Sequence, residues 1–501
     1  MKKNIFWSVL TIVTTLLFAQ NVSCQYDDFD LSEYKLPYLK RQQLDLSFNL
    51  NPRSNSQTSD NIDNLTNQNY KSKYSNRYLY YNFNASYNYF LNSNKYQGNQ
   101  NITLNSSLDN TKIKEPYDNY KYSYFNSDLK INSNNRFYNG LHFIEVDFSG
   151  GVEFDSYQRK NYNTDNSPVS DYKTYSPAVS VSVPVYIGTG RIEPVQDARQ
   201  AIYIFDELLK NGRLKSTPGK EEILKFARRI SEIKNKRFFD SRLRTIYEIS
   251  AIDSFLQSNG LVTDADALYF TTLNDYWMNT GSIIRYSGTR FSVGVKPVFY
   301  NNSQKITYHD TVNSTIIQTM ENRDLNRTWS AAGTFRFNYE KPINLYWQNS
   351  LSANFDAGIE NYLETDDIIS GQIVPPQIKL KHQYPFVETV WSYKLGYYPN
   401  SRTYFNLNVS ALYHREFGNE ETNSPDMKYK VDDKYGSISP GFGCYYYVSQ
   451  RFRIAVNYNY QFNYKSNSRK STSDSPTEID YLQKQNNQNH AFTATLQYSL
   501  F

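Results

Sequence analysis

The 501-residue sequence has only two cysteines, Cys24 and Cys444, and only five histidines. Two cysteines so far apart offer neither a disulfide framework nor a zinc spacing. His142, His309, His382, His414 and His490 show no paired metal-ligand spacing, so neither a metal nor another cofactor is expected. Charge of one sign is lacking too: 54 basic residues face 49 acidic ones, a formal net charge of +5, which gives no reason to expect a nucleic-acid partner. Beyond the N-terminus there is no uncharged apolar run of the roughly 18 residues a transmembrane helix requires. A mean hydropathy of −0.70 likewise excludes a bundle of membrane-spanning helices. What is abundant is aromatic: 47 Tyr and 30 Phe, 16% of the chain with Trp included, which argues against disorder of the whole and favours strands.

The N-terminus reads as an address. Lys2 and Lys3 precede an uncharged run from Ile5 to Ala19, followed by Val22, Ser23 and Cys24 before Gln25. Basic, apolar, small is the order of a secretory signal, expected over residues 1–24. A lipidated Cys24 fits less well, because Asn21 stands where a lipobox carries an aliphatic residue.

Most of the remaining chain alternates with period two, the signature of strands. Leu79, Tyr81, Phe83, Ala85, Tyr87 and Tyr89 share one face; Ile144, Val146, Phe148, Val152 and Phe154 alternate with Glu145, Asp147, Glu153 and Asp155; Val179 to Ile187 continues the pattern, with Pro184 marking an irregular ladder. Later strands run from Phe291 to Phe299, Trp329 to Tyr339, Leu345 to Ile359, Val387 to Tyr397, Thr403 to Tyr413, Tyr435 to Tyr447, Phe452 to Tyr464 and Phe492 to Leu500, with weaker ones at Leu44 to Leu50, Ile102 to Leu108 and Tyr120 to Ile131. The count is about fourteen, between twelve and sixteen. Long polar links, such as Asn51 to Asn76 and Asn301 to Asn326, alternate with short turns such as Tyr398 to Ser401. A soluble β-sandwich also alternates. The strand lengths and the bounding aromatics, Trp329 with Tyr339 and Tyr435 with Tyr447, tilt the reading to a membrane barrel.

With its exported chain, long alternating strands and C-terminal Tyr498, Leu500 and Phe501, the sequence resembles the outer-membrane β-barrel family of Gram-negative bacteria, porin-like members included. The resemblance covers most of the chain and is architectural. It implies an all-β membrane protein, an antiparallel transmembrane β-barrel with an α-helical insertion, located in the outer membrane, with outer-membrane lipid and the barrel-assembly machinery as partners and a terminal Phe as assembly signal. Phe501 departs from it, being out of step with the apolar phase Phe492, Ala494, Leu496, Tyr498 and Leu500.

Between two strands the period changes to that of helices. Gly188, Thr189, Gly190 and Arg191 are expected to end a strand, Pro194 to open a helix whose face carries Val195, Ala198, Ala201, Ile202, Phe205, Leu208 and Leu209, and Gly212 to stop it. A second helix from Pro218, bending near Phe239 and carrying Leu243, Ile246, Ile252 and Phe255, ends before Gly260, and a third begins near Thr263 to Asp266. The expected organisation is a signal peptide at 1–24, a periplasmic segment at 25–42, half a barrel at 43–187, a helical periplasmic insertion at 188–286 and the other half at 287–501.

The Gly188-Thr189-Gly190 stretch lacks the third glycine of a dinucleotide loop. Nothing suggests an enzyme. Glu145, Asp147, Glu153, Asp155, Arg336, Asp356, Glu388, Lys394 and Arg453 fall on the polar phase and are the candidate lumen lining, since Arg or Lys on the lipid face near the midplane costs roughly 2–4 kcal/mol. Arg228, Arg229, Lys236, Arg237, Arg242 and Arg244 on the helices are either a solvated face or a docking surface for a periplasmic or envelope protein. The expected function is porin-like passage of small hydrophilic solutes; the alternative is a non-transporting barrel for envelope assembly, secretion or adhesion, acting through its helices or outer loops.

Overall fold

The computed structural model describes the chain from Tyr26 to Tyr498, apart from residues 27, 64–67, 115–118, 164, 166, 237–240, 281–283, 313–314, 370–376, 423–427, 449–451 and 472–480. The signal expected at 1–24 and the terminal Leu500 and Phe501 lie outside the described residues. A short 3-10 turn at Leu31–Glu33 precedes seven strands, β1 (Leu39–Asp63), β2 (Gln68–Asn92), β3 (Tyr96–Lys114), β4 (Asn119–Asn139), β5 (His142–Tyr162), β6 (Pro168–Ser182) and β7 (Val185–Pro194). Four helices follow: α1 (Gln196–Lys210), α2 (Lys220–Lys234), α3 (Ser241–Ser258) and α4 (Ala267–Thr280). Eight strands complete the chain, β8 (Tyr286–Val312), β9 (Thr315–Pro342), β10 (Trp347–Ile369), β11 (Gln377–Tyr397), β12 (Thr403–Thr422), β13 (Lys428–Tyr447), β14 (Phe452–Ser471) and β15 (Tyr481–Tyr498).

All fifteen strands form one antiparallel sheet in which, apart from β6 and β7, each pairs with its sequence neighbours. β6 and β7 are two pieces of one rung: both pair with β5 on one side and β8 on the other. The break falls at Val183 and Pro184, where proline has no amide hydrogen for the ladder. Fifteen strands thus make fourteen rungs.

The sheet curls into a barrel, because parts far apart along it meet at one end. The 3-10 turn, just ahead of β1, lies against β8 and β9. The chain from the end of β7 through the helices to the start of β8 touches three turns around the same rim: Arg191 of β7 reaches Asn92 and the Ser93 carbonyl, both at 2.8 Å, Arg285, just ahead of β8, reaches the Asn344 and Trp347 carbonyls, and Arg199 of α1 donates to the Asn400 carbonyl at 3.2 Å. Among the described residues no ladder joins β1 to β15.

The strands run further than the sequence suggests. Much of the expected link Asn301 to Asn326 is ladder, since β8 and β9 stay paired to Val312 and Thr315. Alternating polar residues pair as readily through backbone groups as apolar ones, so loss of the apolar phase marks the end of the apolar face and not the end of the strand. The strand expected to stop at Gly188 continues to Pro194, held by β8 at every residue. Pro194 therefore closes a strand, and helix begins at Gln196. Gly190 lies within that strand at φ +93°, where a Cβ would meet the Thr289 carbonyl oxygen at 2.0 Å, so the ladder can pass this point only with glycine.

The hydrophobic core of the molecule lies in the helices. Val195, Ala198, Ala201, Ile202, Phe205 and Leu208 of the first helical stretch are buried against Ile223, Phe226 and Ile230 of α2, Ile252 and Leu256 of α3, and Leu273 of α4. The same cluster takes in Leu31, Tyr34, Leu36 and Leu39 ahead of and opening β1, and Leu345 from the β9–β10 turn. The single bent helix expected from Pro218 is two helices, separated by residues outside the described set. Leu243 and Ile246, on the second of them, face outward, 50% and 57% exposed. No helix among the described residues is long and apolar enough to cross a membrane.

Candidate functional site: the inner wall near the helical end

The two faces of the sheet differ in chemistry. On the outer face Ile144, Val146, Val152, Val181, Val185, Phe291, Val293, Val295, Trp329, Phe355, Leu407 and Ile438 are exposed side by side. Register aligns them into rows: Ile187 faces Val293, Val293 faces Phe335 and Phe335 faces Phe355. On β8 this band runs from Phe291 to Phe299, nine residues; at about 3.3 Å per residue and a tilt near 40° it stands roughly 23 Å tall. Trp329 and Phe299, paired in register, mark its upper limit.

The inner face carries a polar row, also fixed by register: Arg136, Glu145, Tyr186, Gly294, Thr334, Asp356, Glu388 and His414 stand opposite one another on successive rungs. Glu145, whose side chain is 0% exposed, accepts from Arg136 Nη2 at 2.6 Å and pairs with Arg336 Nη2 at 3.1 Å. Arg336 also reaches Asp147 at 3.3 Å, crossing two intervening rungs to do so. Its guanidinium crosses the Tyr186 ring, 3.4 Å from the centroid. Gly294 makes room: a Cβ there would meet the Tyr186 ring at 2.5 Å. Farther round, Asp356 takes Lys296 at 2.8 Å and the Thr334 hydroxyl. His414 bridges Glu388 at 3.1 Å and Glu416 at 2.7 Å.

Of the residues singled out in the sequence, Glu145, Asp147 and Arg336 form one cluster, while Asp356 and Glu388 join neighbouring ones on the same row. Asp155 accepts from Tyr124 and Asn126, both at 2.7 Å, and Glu153 is exposed on the same strand face. Arg453 is exposed near the helical end of β14. Lys394 points towards the helical end, its ammonium 5.3 Å from the centre of the Tyr404 ring. Arg136, Tyr186, Lys296 and His414 were not singled out. Arg136 and Lys296 fall on or beside the polar phase of their strands, which is the signal that could have found them.

Of the helical charges, Arg237 lies outside the described residues. Arg228 and Arg242 are exposed; Arg229 pairs with Glu232 at 2.9 Å and Arg244 with Glu248 at 2.7 Å; Lys236 covers the Tyr247 ring at 3.9 Å. Three of the five described members of this basic set are thus engaged within the helical segment.

Beneath the row, at the helical end, two arginines are almost wholly buried: Arg199 and Arg285, each 1% exposed. Both guanidiniums sit 4.9 Å from the centre of the Tyr398 ring. Burial, and then the charge of Arg199, holds the Arg285 pKa below its ordinary value. A cavity of about 260 Å³ opens beside them between β9, β10 and β11. No protein-family model matches this chain, and no curated protein matches it.

Proposed function

We propose that the chain is an outer-membrane β-barrel, delivered by its N-terminal signal and the barrel-assembly machinery, that passes small hydrophilic solutes through a polar, charged interior, with the helical segment at the periplasmic mouth. One observation carries the reading: the outward face of the sheet is an exposed apolar band about as tall as the roughly 25 Å apolar belt of such barrels, while the inward face is an ordered row of charges. Monomeric soluble proteins rarely expose apolar patches beyond a few hundred Å², and this one follows strand after strand. Water inside and hydrocarbon outside satisfy both faces.

The test is conductance of the purified, folded protein in a planar bilayer. Stepwise currents are expected; a correctly inserted but electrically silent protein would falsify passage. Silence would favour the second reading, a non-transporting barrel acting in envelope assembly, secretion or adhesion. A specific observation speaks for that reading: the helices pack with Leu39 at the start of β1 and Leu345 of the β9–β10 turn, and Arg199 and Asp275 bond to Asn400 and Arg402 of the β11–β12 turn, so they lie across the mouth.

A further inference from the structure

We propose that the cavity between β9, β10 and β11 binds a small hydroxylated carboxylate, a sugar-acid type of solute, with Lys394 as its anion anchor. The inference deepens the passage reading by naming a solute class, and rests on it only for how the solute arrives. Among the described residues Lys394 has no hydrogen-bond or ion-pair partner, although it lines the cavity and is exposed to it. The other cation on the cavity wall, Arg285, spends its donors on neutral oxygens: the carbonyls of Asn344, Leu345 and Trp347 and the Gln348 side chain. Its charge is therefore held in place but not neutralised. Arg199, on the other side of Tyr398, adds a second buried cation whose Nε has no partner.

The one carboxylate on the wall, Glu340, accepts from Ser350 at 2.5 Å and Gln348 at 3.1 Å, both through Oε2. It stays beyond ion-pair distance of Lys394, and its Oε1 remains able to accept a hydroxyl hydrogen. Two cations against one carboxylate on the wall, with Arg199 behind Tyr398, leave the cavity with a surplus of positive charge, and uncompensated charge in a half-buried site is stabilised by a bound anion. The volume, about 260 Å³, lies just under the range of roughly 300–1,000 Å³ typical of small-molecule pockets, which limits the ligand to a single small ring or chain. Serine hydroxyls and Glu340 then suit the hydroxyls of the same molecule, so a bare anion uses only part of the wall.

The test is titration calorimetry of the full-length protein in detergent with sodium glucuronate, glucose and inorganic phosphate as separate probes. Glucuronate is expected to bind at least tenfold more tightly than glucose or phosphate, Lys394→Gln to weaken it at least tenfold, and Lys394→Arg to keep most of the affinity. Absent glucuronate binding, or equal affinity in Lys394→Gln, overturns the site; phosphate or glucose binding as tightly as glucuronate overturns the solute class. Because Lys394 is exposed, its variants should fold, and heat-modifiable migration on gels checks that they do. Binding and conductance fail separately: a silent barrel that binds glucuronate keeps this site and loses passage, and a conducting one that ignores it does the reverse.

Discussion

Glu145 shows what one carboxylate can do when register places it. Its two oxygens are held by Arg136 and Arg336 from rungs on either side, and the latter reaches it only because Gly294 leaves the Tyr186 ring uncovered. Removing one member of a buried ion pair typically costs 3–5 kcal/mol, since the remaining charge stays buried without compensation. Glu145→Gln should therefore lower folded-state stability by about 3 kcal/mol, read as the urea midpoint of heat-modifiable folding. Glu153→Gln, on the same strand but exposed, should shift it by less than about 0.5 kcal/mol. An unchanged midpoint in Glu145→Gln would show that the cluster contributes nothing. The sequence makes the inward direction of Glu145, Asp147 and Arg336 readable, because alternation alone assigns a face. Their meeting was not readable, because Arg336 is 189 residues from Asp147 and only the long-range register of β5, β7, β8 and β9 brings them together.

Single helices and strands follow local chemistry more closely. α4 is preceded by Asp266, whose carboxylate accepts the Tyr269 amide at 3.0 Å and two Arg213 donors, Nε at 3.0 Å and Nη2 at 2.6 Å. The Arg213 hydrogen bonds, then the Tyr269 amide, hold the Asp266 carboxyl down to about 2. A carboxylate whose folded pKa lies below its unfolded value of roughly 3.9 stabilises fully above that value and loses its contribution as pH falls through the folded one. Hydrogen-exchange protection of the first turn of α4 should thus hold down to about pH 4 and decline towards pH 2. In Asp266→Asn the cap survives but the ion pair does not, so protection should start lower and stay flat across that window; parallel decline in both proteins would assign the effect to another group. The cap at Asp266 and the stop near Gly212 were legible because both act within one turn of the chain. The break between α2 and α3 was not, because the apolar spacing runs on through Leu243 and Ile246 although both face outward.

At the scale of the whole molecule, counting β6 and β7 as one rung makes an even number, so β1 starts and β15 finishes at the helical end. The even count was visible in the sequence, since alternation and Pro184 are local; the extent of the outer hairpins was not, since polar strands carry no apolar phase. Closure is the remaining physical requirement. β1 and β15 carry exposed apolar side chains, Leu44 at 63%, Leu46 at 64%, Phe48 at 63% and Phe492 at 61%, on the two edges of the sheet. In hydrocarbon, each unpaired amide or carbonyl along such an edge would cost several kcal/mol, so the proposed bilayer location demands that the two strands pair. β1 leaves the helical end and β15 returns to it, which is the antiparallel sense that pairing needs. In a Cys444→Ser background, cysteines placed one at a time at Leu44, Leu46 and Phe48, each combined with Phe492→Cys, scan that seam. Oxidation of membrane-inserted protein should cross-link at least one combination and block heat-induced opening of the barrel on gels. If every combination stays reduced while the protein is inserted and folded, the seam is open in the bilayer, and an apolar outer face with unpaired edges cannot be a membrane barrel.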